Sequence, residues 1–403
     1  MIRSEQTGLH SGEGSSGIAG RRILMTADAV GGVWTYSLDV ARGLGERGAQ
    51  TTLAVLGPAP SPEQRDAAAT IPGLELVATG LPLDWTAASP AEIFYAGEAI
   101  ADLARETDAD LLHLNSPALA ARAPFDLPVI GVCHSCVATW WASMRSAPLP
   151  PDFAWRRDLV AQGYAAACAL IAPTAAFAQA TAEAYGIPAP TVVYNGRPTF
   201  HLAGEVEARS AAIEAEPRSH SGFVFTAGRL WDEGKNIALL DRAAARLSVP
   251  VLAAGPMEGP NGARIALSRI QPLGRLAPMH VAQHLAAKPV FVSPARYEPF
   301  GLAVLEAAQA GCALVLADIP TFRELWEGAA LFVAPEDEAA LAAALQSVTA
   351  DDALRRRLGG AASERAGRYS VDSMVEGVLA VYRDILARPA GRPPAALSES
   401  LAS

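Results

Sequence analysis

One stretch carries two carboxylates on an otherwise apolar frame: Ser293-Pro294-Ala295-Arg296-Tyr297-Glu298-Pro299-Phe300-Gly301-Leu302-Ala303-Val304-Leu305-Glu306. Glu298 falls in a turn ahead of a predicted helix and Glu306 about two turns inside it. With Glu298 not yet helical, the two are not an acid/base dyad on one helix face. They would reach different parts of one elongated ligand, while N–H groups near Gly301 and Leu302 take a phosphate. The plain alternative for Glu298 is compensation of the helix dipole, worth about 0.3–1 kcal/mol. It does not cover Glu306, embedded among Leu302-Ala303-Val304-Leu305 and Ala307-Ala308, where a carboxylate requires a partner.

Two further glycine-bearing turns follow predicted strands. Ala227-Gly228-Arg229-Leu230-Trp231-Asp232-Glu233-Gly234-Lys235-Asn236 places an Arg at a strand end and a Lys at the next helix start. Together they could neutralise a diphosphate, Arg as a fork and Lys as a point charge; solvated surface cations are the alternative. Asp28-Ala29-Val30-Gly31-Gly32-Val33 lets backbone approach a ligand closely at a helix N-terminus, or is simply a tight strand-to-helix turn. It is neither GxGxxG nor GxxxxGKS, which disfavours a dinucleotide fold and a P-loop ATPase.

The elements that must hold these turns read as a strand–helix alternation. Apolar runs at 23–27, 51–56, 111–114, 129–132 and 191–193 are separated by Ala-rich helical stretches, the first from Trp34 to Arg47. Residues 203–221 break the pattern and read as a linker. The alternation restarts at 223–225 and continues through 251–254, 290–292, 313–316 and 331–333. Continuous apolar strands alternating with helices imply mostly parallel sheets covered on both faces, so the expected fold class is α/β with two doubly wound domains. Open α/β sheets bind ligands beyond the carboxyl ends of their strands, so two facing sheets would share one cleft. Residues 1–20 and 389–403 read as flexible tails.

Composition agrees. The chain has 403 residues, 51% hydrophobic and 18% charged, enough for two domains or three and incompatible with extensive disorder. With 32 Lys plus Arg against 42 Asp plus Glu, the net charge of −10 argues against nucleic acid as a partner. Cys133, Cys136, Cys168 and Cys312 are too few and scattered for a disulfide framework. The N-terminus lacks a signal-peptide apolar region, and the uncharged run 159–182 is better explained by two helices flanking a short strand than by a membrane span. A cytoplasmic location is expected, with membrane contact at most peripheral, at the inner face.

These residues resemble, from about 22 to 387, the family 4 type of retaining glycosyltransferases with a GT-B fold. Glu298 and Glu306 match its E-x7-E signature, and Gly228-Arg229-Leu230 with Lys235-Asn236 its phosphate-binding pair. Asp110-Leu111-Leu112-His113, Cys133-His134-Ser135, Ala172-Pro173-Thr174 and Tyr194-Asn195-Gly196-Arg197 resemble its first-domain landmarks in the right order. The resemblance implies two Rossmann-like domains: residues 21–200 on the acceptor side, completed by a C-terminal helix at 371–388 that crosses back, and residues 201–370 binding a nucleotide diphosphate sugar. It implies that Gly31 and Gly32 lie beside the donor diphosphate and that His134 touches the donor sugar. Arg229 and Lys235 would hold the diphosphate, Glu298 the sugar hydroxyls and Glu306 the ribose, with Arg275 and Leu276 beside the base. Phe300, Gly301 and Leu302 would complete the donor site. Six positions separate Arg229 from Lys235, where the family more often has five.

The implied reaction is retaining, front-face transfer of a hexosyl group to a hydroxyl, with the leaving phosphate helping to deprotonate the acceptor. No cofactor or metal is expected, since two cations take the leaving group's charge. The donor is a UDP-sugar first, a GDP- or ADP-sugar otherwise. The acceptor is a carbohydrate, lipid-linked or small molecule met by first-domain loops such as 57–62 and 137–151. A nucleotide-sugar epimerase, a non-catalytic binding subunit and a pyridoxal phosphate phosphorylase are the rivals on this architecture.

Other signals carry less. Cys133-His134-Ser135-Cys136 has one CxxC pair without a second, and reads as a packed strand end. His280 and His284 have zinc-helix spacing, but Val281 stands at the HExxH glutamate position. His113 reads as a hydrogen-bonded core histidine. Trp140, Trp141 and Trp85 could stack an acceptor or pack a core.

Overall fold

The computed structural model describes residues 17–198 and 222–388. The expected 1–20 tail falls partly outside that range, and the 203–221 linker and 389–403 tail lie wholly outside it. Within it, Ile18 is 1% exposed in the first core and Arg21 donates its N–H to the Ile18 carbonyl. Ile18, an apolar side chain next to a Gly turn, thus packs with the first domain although it lies ahead of residue 21.

The first sheet is built from β1 (Arg22–Asp28), β2 (Gln50–Leu56), β3 (Leu74–Ala78), β4 (Leu111–Leu114), β5 (Val129–Val132), β6 (Ala169–Ala172) and β7 (Thr191–Val192). Their order is β3-β2-β1-β4-β5-β6-β7, all parallel, with Met25 opposite Leu53 on one side and His113 on the other. The second sheet runs β10-β9-β8-β11-β12-β13, also parallel. Its strands are β8 (Val224–Ala227), β9 (Val251–Ala254), β10 (Gln271–Gly274), β11 (Val290–Ser293), β12 (Ala313–Ala317) and β13 (Ala330–Val333).

Both sheets reverse their strand order once, β1 against β4 and β8 against β11. The crevice at such a reversal, beyond the strands' carboxyl ends, is where an open α/β sheet binds ligands. Gly31 and Gly32 follow β1, Asn115 follows β4, Arg229 follows β8 and Glu298 follows β11. The topology therefore delivers all three glycine-bearing turns to one place.

The run 159–182 resolves as expected into the helix Pro151–Ala166, β6 and the helix Ala175–Tyr185. The helix Val371–Leu386 returns to the first domain, burying Met374, Val375, Val378, Leu379 and Tyr382 against Ile23, Val40 and Leu44. The chain consequently passes between the domains twice. The two passages touch: Arg197 donates its N–H to the Tyr369 carbonyl at 3.3 Å, and a Cβ on Gly196 would fall 2.0 Å from the Ser370 carbonyl oxygen. Only Gly fits there. Among the described residues no helix is long and apolar enough to cross a membrane.

Candidate active site

The cleft wall of the second domain carries the charge. Lys235 closes the turn after β8, and its ammonium is paired with the Glu298 carboxylate from the turn after β11. Arg229 donates from Nη2 to Asp232 Oδ2 at 2.8 Å, with its guanidinium 5.7 Å from the Trp231 ring centroid. Behind Glu298, Gly301 turns the chain through φ +92° and opens the helix Leu302–Gln309, which no side chain caps. Its first N–H groups point toward the cleft end of the helix, where the dipole favours an anion. Thr226, Gly228, Arg229, Lys235, Glu298 and Gly301 line one small cavity.

The facing wall is neutral. Asn115 donates to the Thr26 carbonyl at 2.6 Å and to Ser37 Oγ at 3.0 Å, which turns its Oδ1 toward His134 Nε2 at 2.7 Å. That nitrogen must therefore carry the proton, leaving Nδ1 as an acceptor; the assignment rests on the network around the amide. Burial pushes the His134 pKa down to about 4, so the ring is uncharged at neutral pH. His113 lies deeper, its Nδ1 2.8 Å from Tyr382 Oη, and burial lowers its pKa to about 3. It is a core histidine, as its strand position implied.

The walls approach closely at Gly31. A Cβ there would lie 3.2 Å from Arg229 Nη1, and one on Gly32 would lie 3.4 Å from Leu302 Cδ1. Asp28, below this turn, accepts the Val30 N–H at 2.8 Å. Burial raises its pKa, against that hydrogen bond and the Arg229 charge.

Glu306 has the partner its apolar helix demanded. Its Oε1 lies 2.8 Å from Arg197 Nε, and Arg197 Nη1 lies 2.6 Å from Asp39 Oδ2. Burial raises the Asp39 pKa. For Arg197 burial acts the other way but is outweighed by Glu306 and Asp39, which hold the guanidinium charged. Asp39 comes from the first helix and Glu306 from the second domain, so this triad ties the two together.

The structure thus gathers Gly31, Gly32, His134, Arg229, Lys235, Glu298, Gly301, Leu302 and Glu306 around one cleft. Three residues sit apart from them. Phe300 is 3% exposed, its ring set edge-on against Tyr369 inside the second core, so only its backbone faces the turn. Arg275 is exposed just past edge strand β10, with Leu276 half-buried against the same core. Arg197, Asp39 and Asn115 were given no role by sequence reasoning; Arg197 lay inside a landmark that had been noticed only for its order.

The weaker signals resolve structurally. Cys133 is buried with its thiol pushed up to about 12 by burial, and Cys136 Sγ accepts the Thr139 N–H as a helix cap. His284 donates to the His280 carbonyl and stacks on Phe225 at 5.4 Å. Trp85 stacks on Trp231 across the domains at 6.5 Å, and Trp141 donates to the Ala147 carbonyl. Among the described residues no three of His, Cys, Asp and Glu gather where a metal ion could be held.

Two parallel sheets facing one cleft, with the functional turns at both strand-order reversals, define a GT-B architecture. The chain carries two glycosyltransferase-family domains: residues 30–199 match Glycosyltransferase Family 4, and residues 221–351 match the glycosyl transferases group 1. Sucrose-phosphate synthase from Thermosynechococcus elongatus superposes with a TM-score of 0.75 at 18% identity, over 91% of this chain and 99% of that one. Anabaena HepE in complex with UDP and glucose gives 0.69 at 19%, over 90% and 100%. Phosphatidyl-myo-inositol mannosyltransferase of Mycolicibacterium smegmatis is 34% identical over 113 residues. That match spans 28% of this chain and only 27% of the mannosyltransferase.

Proposed function

We propose that this protein transfers a hexosyl group from a nucleotide diphosphate sugar to a hydroxyl acceptor, with retention of the anomeric configuration and without a metal. The observation that carries this reading is the meeting of Arg229, Lys235 and the uncapped helix start at Gly301 opposite the neutral wall of His134 and Gly31. The named partners of similar proteins support it, one a mannosyltransferase and one a complex with UDP and glucose.

The chemistry follows from charge. As the bond from the anomeric carbon to phosphate breaks, negative charge grows on the departing oxygen, and positive charge spreads over the sugar ring. Arg229 and Lys235 meet the first, in a site where preorganised cations act more strongly than in water. Glu298 holds Lys235 in place and presents its second oxygen to sugar hydroxyls. His134 Nδ1 accepts a hydrogen bond from a hydroxyl of the donor sugar, adding no charge beside the cationic transition state. The acceptor oxygen attacks from the face the phosphate leaves, and its proton passes to that phosphate. Glu306, with Oε1 on Arg197, keeps Oε2 for the ribose.

The test is a thermal-shift titration of wild type and Lys235→Ala with UDP, GDP, ADP and their hexose conjugates. A ligand at 100 times its Kd stabilises by about 2.7 kcal/mol. One base should win, and Lys235→Ala should abolish its shift. NMR of the product must then show the donor's anomer; an inverted product, or no shift with any nucleotide, ends this reading.

A further inference from the structure

Tyr297 belongs to the second domain by sequence and to the first by its contacts. It stands between Arg296 and Glu298 in the turn after β11. Its ring packs against the first-domain core, edge-on to Phe177 at 6.2 Å. Its Oη accepts the Cys136 N–H at 3.3 Å and shares a hydrogen bond with Thr139 Oγ1 at 2.8 Å. On the other side of Glu298, the Pro299 carbonyl accepts Thr174 Oγ1 at 3.0 Å. The first domain therefore grips this turn on both flanks of Glu298.

The grip reaches Lys235 as well. The N–H groups of Arg296 and Tyr297 both bond the Gly234 carbonyl, at 2.9 and 3.2 Å, and Gly234 immediately precedes Lys235. A Cβ on Gly234 would lie 3.2 Å from Trp140 Nε1 of the first domain and 3.5 Å from Tyr297 Cβ. Moving Tyr297 out of its pocket must shift both members of the Lys235–Glu298 pair.

Building on the donor-site reading above, we propose that Tyr297 is a positioning residue, a pin that seats in the Cys136–Thr139–Phe177 pocket when the domains close and thereby aligns Lys235 and Glu298 for transfer. It touches neither substrate nor reacting atoms. Its effect falls on turnover rather than on donor affinity, because it organises the pair only in the closed arrangement.

Two variants separate the pin from simple packing. Tyr297→Phe keeps the ring and removes both Oη bonds; Thr139→Val removes one partner from the opposite domain. Iodoacetamide labelling of Cys136 in the ligand-free protein, mapped by peptide mass with Cys168 as internal reference, reads whether the pocket is occupied. Steady-state kinetics with the nucleotide sugar that the wild type turns over read the alignment. Tyr297→Phe should speed Cys136 labelling severalfold, and each variant should lower kcat about tenfold, the size of one buried hydrogen bond, with the donor KM within about threefold. The double variant should be no worse than either single one. Faster labelling with unchanged kcat and additive losses of stability would mean an interdomain contact with no positioning role, and overturns the proposal. A wild type that neither binds nor turns over any nucleotide sugar instead removes the donor-site reading. The positioning role falls with it, and unchanged Cys136 protection in Tyr297→Phe overturns the interdomain contact as well.

Discussion

The two walls of the cleft are held by different physics. On the second-domain wall, Lys235 is tied to Glu298 and Arg229 to Asp232, so charges are placed by other charges. On the first-domain wall, His134, Asn115, Thr26 and Ser37 form a hydrogen-bonded chain with no net charge. A buried polar chain fixes direction, and an ion pair fixes position while remaining able to exchange partners for an incoming anion. Under the proposed function, one wall orients a sugar and the other receives a leaving group. The walls meet in the Asp39–Arg197–Glu306 triad.

That triad is where the comparison breaks most severely. Arg197→Ala leaves two carboxylates facing each other in a largely buried site, and should cost about 3–5 kcal/mol of stability in urea unfolding. Because it strands one carboxylate in each domain, the loss should exceed that of any single change on either wall. Next comes Lys235→Ala, which should lower the single-turnover rate by roughly 10²–10³-fold, with a smaller loss of stability in urea than Arg197→Ala because it strands one carboxylate instead of two. A comparable loss of stability would mean that Lys235 is structural and the charged wall is not catalytic.

Acid sharpens the contrast from the other side. The folded pKa values of His113 (about 3) and His134 (about 4) lie below the ordinary 6.5, so folding favours the neutral rings. Their contribution is complete above about pH 6.5 and is lost as pH falls toward 4. The expected slope is at most about 1.4 kcal/mol per pH unit for each histidine, with the less buried His134 giving the smaller share. His134→Asn should flatten part of that slope in urea titrations between pH 4.5 and 7. The smallest effect is that of Gly31→Ala. Its methyl meets the movable end of Arg229 at 3.2 Å, and should weaken donor binding by roughly 0.5 kcal/mol in calorimetry.

Legibility followed burial. The central strands β1, β4, β5, β9 and β12 are continuous apolar runs because both faces are covered, and their bounds in the sequence agree with the structure to within a residue. Of the four edge strands, β7 and β13 are legible as the runs 191–193 and 331–333, and β3 and β10 are not. Leu74–Ala78 is only half-buried, and Gln271-Pro272-Leu273-Gly274 carries a Pro and a Gly that only an edge tolerates. The site shows the same divide. Glu306's need for a partner was readable from its apolar neighbours, but the partner, 109 residues away, was not. Phe300 and Tyr297 illustrate why: two aromatics in one turn, one buried in its own domain and the other in the opposite one. Nothing in local spacing distinguishes them, because the choice depends on how two separate sheets dock.

The contact between the two crossing segments limits what the domains can do. Two independent tethers far apart would permit sliding and twisting; two tethers pressed together at Gly196 and Ser370 act as a single pivot. Rotation about that point would swing the cleft residues on an arc whose radius is their distance from it. Small angular changes at the pivot would become large separations at Lys235 and His134, and far smaller ones at Arg197, next to Gly196.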